Sequence, residues 1–125
     1  NVLDYYDDDN SFSSEDEPNS WICFDFVNQK VVLTKYMIKS SSYGPGLSHL
    51  KSWIVEGSND KNVWETIDEQ KNCSSLNGSN CVCSFDTCNS TSAFRYIRLR
   101  QTGLNWRNRH YLKFNAIEFY GEIGC

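Results

Sequence analysis

Proline and glycine are scarce in this chain, which has two prolines and seven glycines among 125 residues. This scarcity excludes collagen-like and low-complexity chains, because both need many more of these residues. No apolar run approaches the roughly 18 residues that a membrane-spanning helix requires, so we expect no membrane span. No window of about eleven residues keeps apolar side chains at helical spacing, so we expect almost no helix.

The residue patterns of common catalytic sites are also missing. The chain has two histidines, and it contains no G-x-S-x-G, H-E-x-x-H or glycine-rich phosphate-loop motif. The main cluster of carboxylates lies in one segment, whereas glycoside hydrolysis needs two carboxylates that face each other across a cleft. We therefore expect a protein that is not an enzyme.

Charge is unevenly distributed along the chain, whose formal net charge is −4. Seven acids and no base lie between Asp4 and Glu17, whereas six bases and no acid lie between Arg95 and Lys113. Such a basic stretch is one feature of nucleic-acid binding, but the pI near 5.1 and the lack of a basic stripe elsewhere argue against that function. We expect no nucleic-acid partner.

Six cysteines are many for this length. Four of them lie between residues 73 and 88, in a spacing that lacks the paired C-x2-C motifs of a structural zinc site. Two redox states stay open. In a secreted protein, Cys73–Cys81 and Cys83–Cys88, or the crossed pairs, would close this segment, whereas a reducing cytosol would keep all six thiols free.

Short segments with alternating apolar residues predict β-strands at 21–26, 31–39, 51–57, 63–67, 94–100 and 111–120. Residues 1–20 are predicted to form an acidic loop segment, and residues 68–92 a cysteine-rich loop insertion. This pattern predicts an all-β sandwich or barrel in one domain over 1–125. Because the first residue is Asn, we expect that a leader was removed or that the chain belongs to a longer polypeptide.

Four segments resemble, in the same order, the strands of discoidin domains, also called coagulation-factor C-type domains. They are Trp21-Ile22-Cys23-Phe24-Asp25-Phe26, Glu56-Gly57-Ser58-Asn59-Asp60 followed by Trp64, Arg95-Tyr96-Ile97-Arg98-Leu99, and Ala116-Ile117-Glu118-Phe119-Tyr120-Gly121. Further segments, including His49-Leu50-Lys51-Ser52-Trp53, resemble most the discoidin-like domains of large protist proteins, which are generally intracellular.

The resemblance implies a jelly-roll β-sandwich of about eight antiparallel strands, of the galactose-binding-like type, which binds its ligands through loops at one end. The function it favours is a recognition or docking module that binds a protein partner within a larger polypeptide or assembly. The alternative is a secreted or cell-surface module for carbohydrate binding and adhesion. The resemblance favours an intracellular location, and an extracellular one stays open.

The loop from Gly103 to His110 is the best candidate for ligand binding. Tryptophan offers a flat apolar face, while arginine and asparagine offer donors that suit sugar hydroxyls, carboxylates or a protein partner. Residues of a second loop are expected nearby. The predicted ligand-binding set is Tyr43, His49, Asn105, Trp106, Arg107, Asn108 and His110. The alternative for Trp106 is a structural residue that caps the core.

The acidic segment suggests a calcium site, because hard cations prefer several closely spaced oxygen ligands. In carbohydrate-binding members of the family, an Asp-rich loop joins a Glu of the last strand. The residues that resemble this set are Asp7, Asp9, Asn10, Ser11 and Glu118. The alternative is a solvated acidic loop without metal.

Two further predictions concern structural roles. Trp21, Trp53 and Trp64 are expected in the core or at its edge, as large aromatic residues usually are. Arg98 is expected to form an ion pair or hydrogen bonds on its strand.

Overall fold

The computed structural model describes residues 2–13, 18–27, 29–40, 46, 49–87 and 92–124, and for residues 2–13 and 124 it describes the backbone alone. Within these ranges the chain forms eight strands and no helix, and therefore no helix long and apolar enough to cross a membrane. The strands are β1 (Val2–Ser13), β2 (Trp21–Asp25), β3 (Lys30–Lys39), β4 (Trp53–Ser58), β5 (Glu65–Gln70), β6 (Val82–Asp86), β7 (Tyr96–Gln101) and β8 (Lys113–Gly124).

The strands form two antiparallel sheets of four strands, in the orders β1-β8-β3-β6 and β2-β7-β4-β5. Most sheet neighbours are distant along the chain, which is typical of a jelly-roll sandwich. The predicted all-β sandwich of about eight antiparallel strands is confirmed.

The core lies between the sheets and follows the period-two alternation of the strands. On β7, Ile97 and Leu99 are fully buried, while Arg98 between them faces outward. On β3, a register shift at Thr34 changes the phase of the alternation. Because of this extra residue, Leu33 and Tyr36 are both fully buried although three positions separate them.

Two segments predicted as loops contain strands. Residues 2–13 form β1, which pairs with β8 at the edge of its sheet. Aspartate is disfavoured in strands, so its abundance here indicated a loop, but pairing with the exposed edge of β8 overrides that preference. Within 68–92, residues 82–86 form β6, where Cys83 and Phe85 pack against the core. Cysteine acts there as a small apolar residue, which completes the alternation.

The tryptophans divide into three environments. Trp53 is fully buried, as predicted, and Trp64 is half-buried. Trp21 is 54% exposed, so its prediction as a core or core-edge residue is wrong. The reason is the phase of β2, because Ile22 and Phe24 face the core and their neighbours therefore face solvent.

Candidate functional site

The loop that follows β7 is organised around the buried side chain of Asn105. Its Oδ1 accepts hydrogen bonds from the backbone N–H groups of Arg107 (2.9 Å) and Arg109 (3.1 Å). Its Nδ2 donates to the Tyr111 carbonyl at 3.1 Å, and its backbone N–H donates to the Arg109 carbonyl at 2.8 Å. Gln101 supports the same loop by donating to the carbonyls of His110 and Tyr111. These bonds hold the loop in one shape.

Trp106 ties this loop to two others. Its backbone N–H donates to the His49 carbonyl and its indole Nε1 donates to the Cys73 carbonyl, both at 3.2 Å. The Lys51 Nζ lies 4.6 Å from the centre of the indole, a cation–π distance. Trp106 is half-buried. It therefore both anchors three loops and presents part of its ring at the surface.

Lys51 lies over the Trp106 ring, and two arginines follow Trp106 in the loop. Arg107, Asn108 and Arg109 are exposed, and Asn108 has a left-handed φ of 61° that turns the chain between the two arginines. No acid occurs in segments 49–52, 71–81 or 102–112. We call this positive patch the Trp106 loop surface, formed by Lys51, Trp106, Arg107, Asn108, Arg109 and His110.

The predicted ligand residues thus take different positions. Trp106, Arg107, Asn108 and His110 contribute to the surface, with His110 half-buried. His49 and Asn105 have no exposed surface, so in this conformation they support the loop from below rather than reach a ligand. Tyr43 lies outside the described residues. Lys51 was not predicted as a site residue, although it lies in a segment that carries the family resemblance.

The predicted calcium ligands lie on two paired strands, β1 and β8. Asp7 pairs with Ala116 and Phe12 with Phe114, so residues 8–11 bulge opposite a single residue of β8. Asp9, Asn10 and Ser11 lie in this bulge, and their side chains, like that of Asp7, lie outside the described part of the structure.

Glu118, the fifth predicted ligand, is half-buried on β8 and accepts a hydrogen bond from the Tyr120 hydroxyl. This bond raises the pKa of Tyr120. Among the side chains that the structure describes, no group of three His, Cys, Asp or Glu residues lies close enough together to hold a metal. The register places Glu118 opposite Tyr5, two residues along β8 from Ala116, the partner of Asp7. Calcium binding stays a prediction.

The cysteines with described side chains are free thiols. Cys23 lies on the outer face of β2, whereas Cys73, Cys81 and Cys83 are half-buried beside the core. Burial raises the pKa of Cys23. Cys88 and Cys125 lie outside the described residues, so the predicted pairing of Cys83 with Cys88 is not addressed.

The two antiparallel sheets form a jelly-roll β-sandwich with the galactose-binding-like fold. No family model matches the sequence.

Three similar solved structures are named as carbohydrate-binding modules. CBM62 from Clostridium thermocellum Xyl5A has a TM-score of 0.68 at 20% identity, covering 92% of this chain and 77% of that chain. CpGH89CBM32-5 from Clostridium perfringens, in complex with GalNAc-β-1,3-galactose, has a TM-score of 0.69 at 13% identity, covering 91% and 78%. The CBM32 of AlyQ, in complex with 4,5-unsaturated mannuronic acid, has a TM-score of 0.66 at 16% identity, covering 88% and 76%. Likeness at this level of identity establishes the fold.

Two curated relatives are similar in sequence. The E3 ubiquitin-protein ligase Ufd4 of Drosophila melanogaster is 28% identical over 114 residues, and the E3 ubiquitin-protein ligase hecd-1 of Caenorhabditis elegans is 30% identical over 112 residues. Each match covers 88% of this chain and 4% of the relative. The chain therefore corresponds to a small part of either protein.

Proposed function

We propose that this domain is a non-catalytic recognition module that binds an acidic glycan through the Trp106 loop surface. The observation that carries the proposal is a preformed loop that presents an aromatic ring beside cations, where the described segments 49–52, 71–81 and 102–112 contain no acid. A half-exposed indole packs against the apolar face of a sugar ring, and guanidinium groups bind carboxylates through paired hydrogen bonds. The neighbours of the same fold that are named for carbohydrate binding support this proposal.

The rigidity of the loop strengthens the proposal. Asn105 and Gln101 hold the backbone through buried hydrogen bonds, so a ligand meets arginines that already project from an ordered loop. A preorganised site loses less conformational entropy on binding, which favours affinity for a small polar ligand such as a sugar.

The test is calorimetric titration of the folded chain with oligomannuronate and, separately, with a neutral galactose disaccharide. Trp106→Ala and Arg107→Ala should each weaken binding of the acidic sugar by about 2 kcal/mol or more. The matched control is Arg95→Ala, which removes an arginine just before β7, at the end of that strand away from the loop, and should leave affinity unchanged. Unchanged affinity in the loop variants would contradict the proposal, as would unfolding of Trp106→Ala.

A second candidate is favoured by the curated relatives. Because the chain matches a small part of two very large ligases, we infer as an alternative that it docks a protein partner within a long intracellular polypeptide. The glycan proposal instead goes with an extracellular or cell-surface location, which the fold neighbours favour.

Cysteine state separates these two functions. Protein from its native source is alkylated without reductant after denaturation, and the number of adducts is read by intact mass. Six adducts would support the intracellular docking module, because a reducing cytosol keeps thiols free. Two or fewer would support the extracellular glycan-binding module.

A further inference from the structure

A groove lies on the outer face of the β2-β7-β4-β5 sheet, away from the Trp106 loop surface. Its cavity of about 180 Å³ is lined by Trp21, Cys23, Lys61, Trp64 and Arg98, which we call the face groove. Arg98 lies four residues before Thr102, the first residue of the loop that carries Trp106. About 13 Å of extended strand therefore separates Arg98 in the groove from the start of that loop. The volume is below the roughly 300–1,000 Å³ of pockets for drug-sized ligands, and it suits one side chain of a longer ligand.

Arg98 forms the floor of the face groove. Its guanidinium lies 3.9 Å from the centre of the Trp64 ring and 5.8 Å from that of Trp21. Its Nε and Nη2 both donate to Oε1 of the buried Glu56, at 3.1 and 2.9 Å. Its Nη1 has no hydrogen-bond partner among the described residues. The predicted ion-pairing role of Arg98 is thereby confirmed, and one donor group is left over.

The charge around this floor is unbalanced. Arg100 donates through Nε to the same Glu56 oxygen at 3.0 Å, so two arginines share one carboxylate. Lys61 adds a third cation at the rim of the groove. Asp25, which pairs with Arg95, also lies close enough to act on Cys23 and Lys61. The four cations Lys61, Arg95, Arg98 and Arg100 against the two carboxylates of Glu56 and Asp25 leave an excess of about +2, which attracts an anion.

The aromatic and cationic pattern continues along the face. The Tyr96 ring lies 4.9 Å from both Lys61 Nζ and the Arg95 guanidinium carbon. Tyr96 is two residues from Arg98, so the pattern extends by about 7 Å along β7. Tryptophan, tyrosine and arginine together on one surface, here with Trp21 exposed and Trp64, Tyr96 and Arg98 half-buried, are the composition of energetic centres in protein–protein interfaces.

We propose that the face groove binds an extended acidic peptide segment of a partner protein, with an Asp or Glu carboxylate placed on Arg98 and Lys61 between Trp21 and Trp64. We choose a carboxylate because Nη1 of Arg98 is free to donate and because the groove has an excess of positive charge. We choose a peptide rather than a single sugar because the aromatic side chains continue from Trp21 and Trp64 to Tyr96, which an extended chain can reach with its next outward side chain. This proposal does not depend on the glycan proposal.

The test uses a blocked hexapeptide of alternating glutamate and leucine, titrated into the folded chain and followed by tryptophan fluorescence. The matched peptide with glutamine in place of glutamate is expected to bind at least about tenfold more weakly. Trp21→Ala and Lys61→Asn should each weaken binding at least about fivefold. Asparagine is chosen at 61 because that residue has a left-handed φ of 66°, which asparagine tolerates. Val82→Ala, which shortens an exposed side chain on β6 of the other sheet, is the control and should bind the peptide normally.

Cys23 provides a second readout, because it lines the groove. Bound peptide should slow alkylation of Cys23 severalfold, as measured by peptide mapping, and leave the rate at Cys73 unchanged. Equal binding of the two peptides, no binding at millimolar concentration, or no protection of Cys23 would overturn the proposal. Displacement of the peptide by oligomannuronate in the Trp106→Ala variant would also overturn it, by identifying the groove as a sugar site. Because Trp21→Ala leaves the Trp106 loop intact, the two proposals fail independently.

Discussion

Gly57 lies on β4 directly against the buried ring of Phe94, a residue that bridges to Val31 of the opposite sheet. A Cβ atom at position 57 would lie 2.3 Å from a ring carbon of Phe94 and 2.4 Å from the Cγ at its base. Because the base of a buried ring cannot move away by a simple rotation, Gly57→Ala should destabilise the fold by about 1–3 kcal/mol. Urea unfolding measures this loss.

Gly103→Ala is the matched control for that experiment. The nearest atom to its added Cβ would be that of Ser52 at 3.7 Å, which is an ordinary contact distance. Its free energy of unfolding should change by no more than about 0.5 kcal/mol. Equal effects at the two positions would contradict the close approach of Phe94 to β4.

Asp60 organises the turn between β4 and β5 through its carboxylate, which accepts hydrogen bonds from the backbone N–H groups of Val63 and Asn62. These bonds lower the pKa of Asp60 below its usual value of 3.8, and the bond from Val63 has the largest effect. A lowered pKa means that the stabilisation is complete above the unfolded-state pKa and is lost as the pH falls through the folded-state value.

The expected NMR titration of the Asp60 carboxyl carbon therefore has a midpoint below 3.8. Asp60→Asn keeps an oxygen that accepts both hydrogen bonds but removes the titration, so the variant should lose less stability between about pH 5 and pH 2 than the parent does. A midpoint at or above the usual value would contradict the turn geometry.

At the scale of the elements, β4 and β7 are joined on their outer face by the ion pairs of Glu56 with Arg98 and Arg100. The Glu56 side chain is 8% exposed, whereas those of the arginines are 17% and 26% exposed. Glu56→Gln would leave two neighbouring guanidinium groups without their shared carboxylate, so we expect a loss of about 2–3 kcal/mol in the free energy of unfolding.

Glu69→Gln is the control on the adjacent strand β5. Its carboxylate lies 3.9 Å from Lys71 Nζ, and its side chain is 43% exposed. An exposed pair of this kind contributes about 0–1 kcal/mol, so the variant should unfold almost like the parent in urea at pH 7. A similar loss in both variants would show that the Glu56 network contributes no more than a surface pair.

The strands differed in how well sequence patterns predicted them. Strands β2 and β7 were predictable because their core-facing residues, Ile22 and Phe24 on β2 and Ile97 and Leu99 on β7, recur at every second position. Strand β1 was not predictable, because it is stabilised by pairing with β8 and not by its own composition. Nor was β6, where the apolar role of Cys83 becomes evident only from its packing.

The candidate site was predictable in part. The composition of the loop from Gly103 to His110 was by itself sufficient to make this loop the candidate site, and ligand binding there stays a prediction. Its internal architecture was not predictable, because an exposed asparagine and a buried loop-organising asparagine look alike in sequence. The face groove was missed for a related reason, since Trp21 and Arg98 face solvent together only through the register of β2 against β7.

At the scale of the whole molecule, we expect calcium to bind between Glu118 of β8 and the acidic residues of β1. We expect millimolar calcium to raise the melting temperature by about 2–4 °C, because a ligand that binds only the folded state stabilises it by mass action. Glu118→Gln should abolish the response. Glu122→Gln, which removes an exposed carboxylate further along β8, should retain it. A melting temperature that chelation leaves unchanged would identify residues 1–20 as a metal-free acidic segment.

The two sheets are also joined through the apolar core by a polar link. The buried Tyr36 hydroxyl of β3 donates to Asp68 Oδ2 of β5 at 2.5 Å and accepts a hydrogen bond from Trp53 Nε1 of β4 at 2.9 Å. Apolar contacts alone would tolerate sliding of one sheet over the other, whereas buried hydrogen bonds require fixed atomic positions. Tyr36 thus fixes the position of one sheet relative to the other. Loops that arise from opposite sheets are thereby held in fixed relative positions. The Trp106 loop surface therefore exists before any ligand binds and needs no rearrangement of its loops.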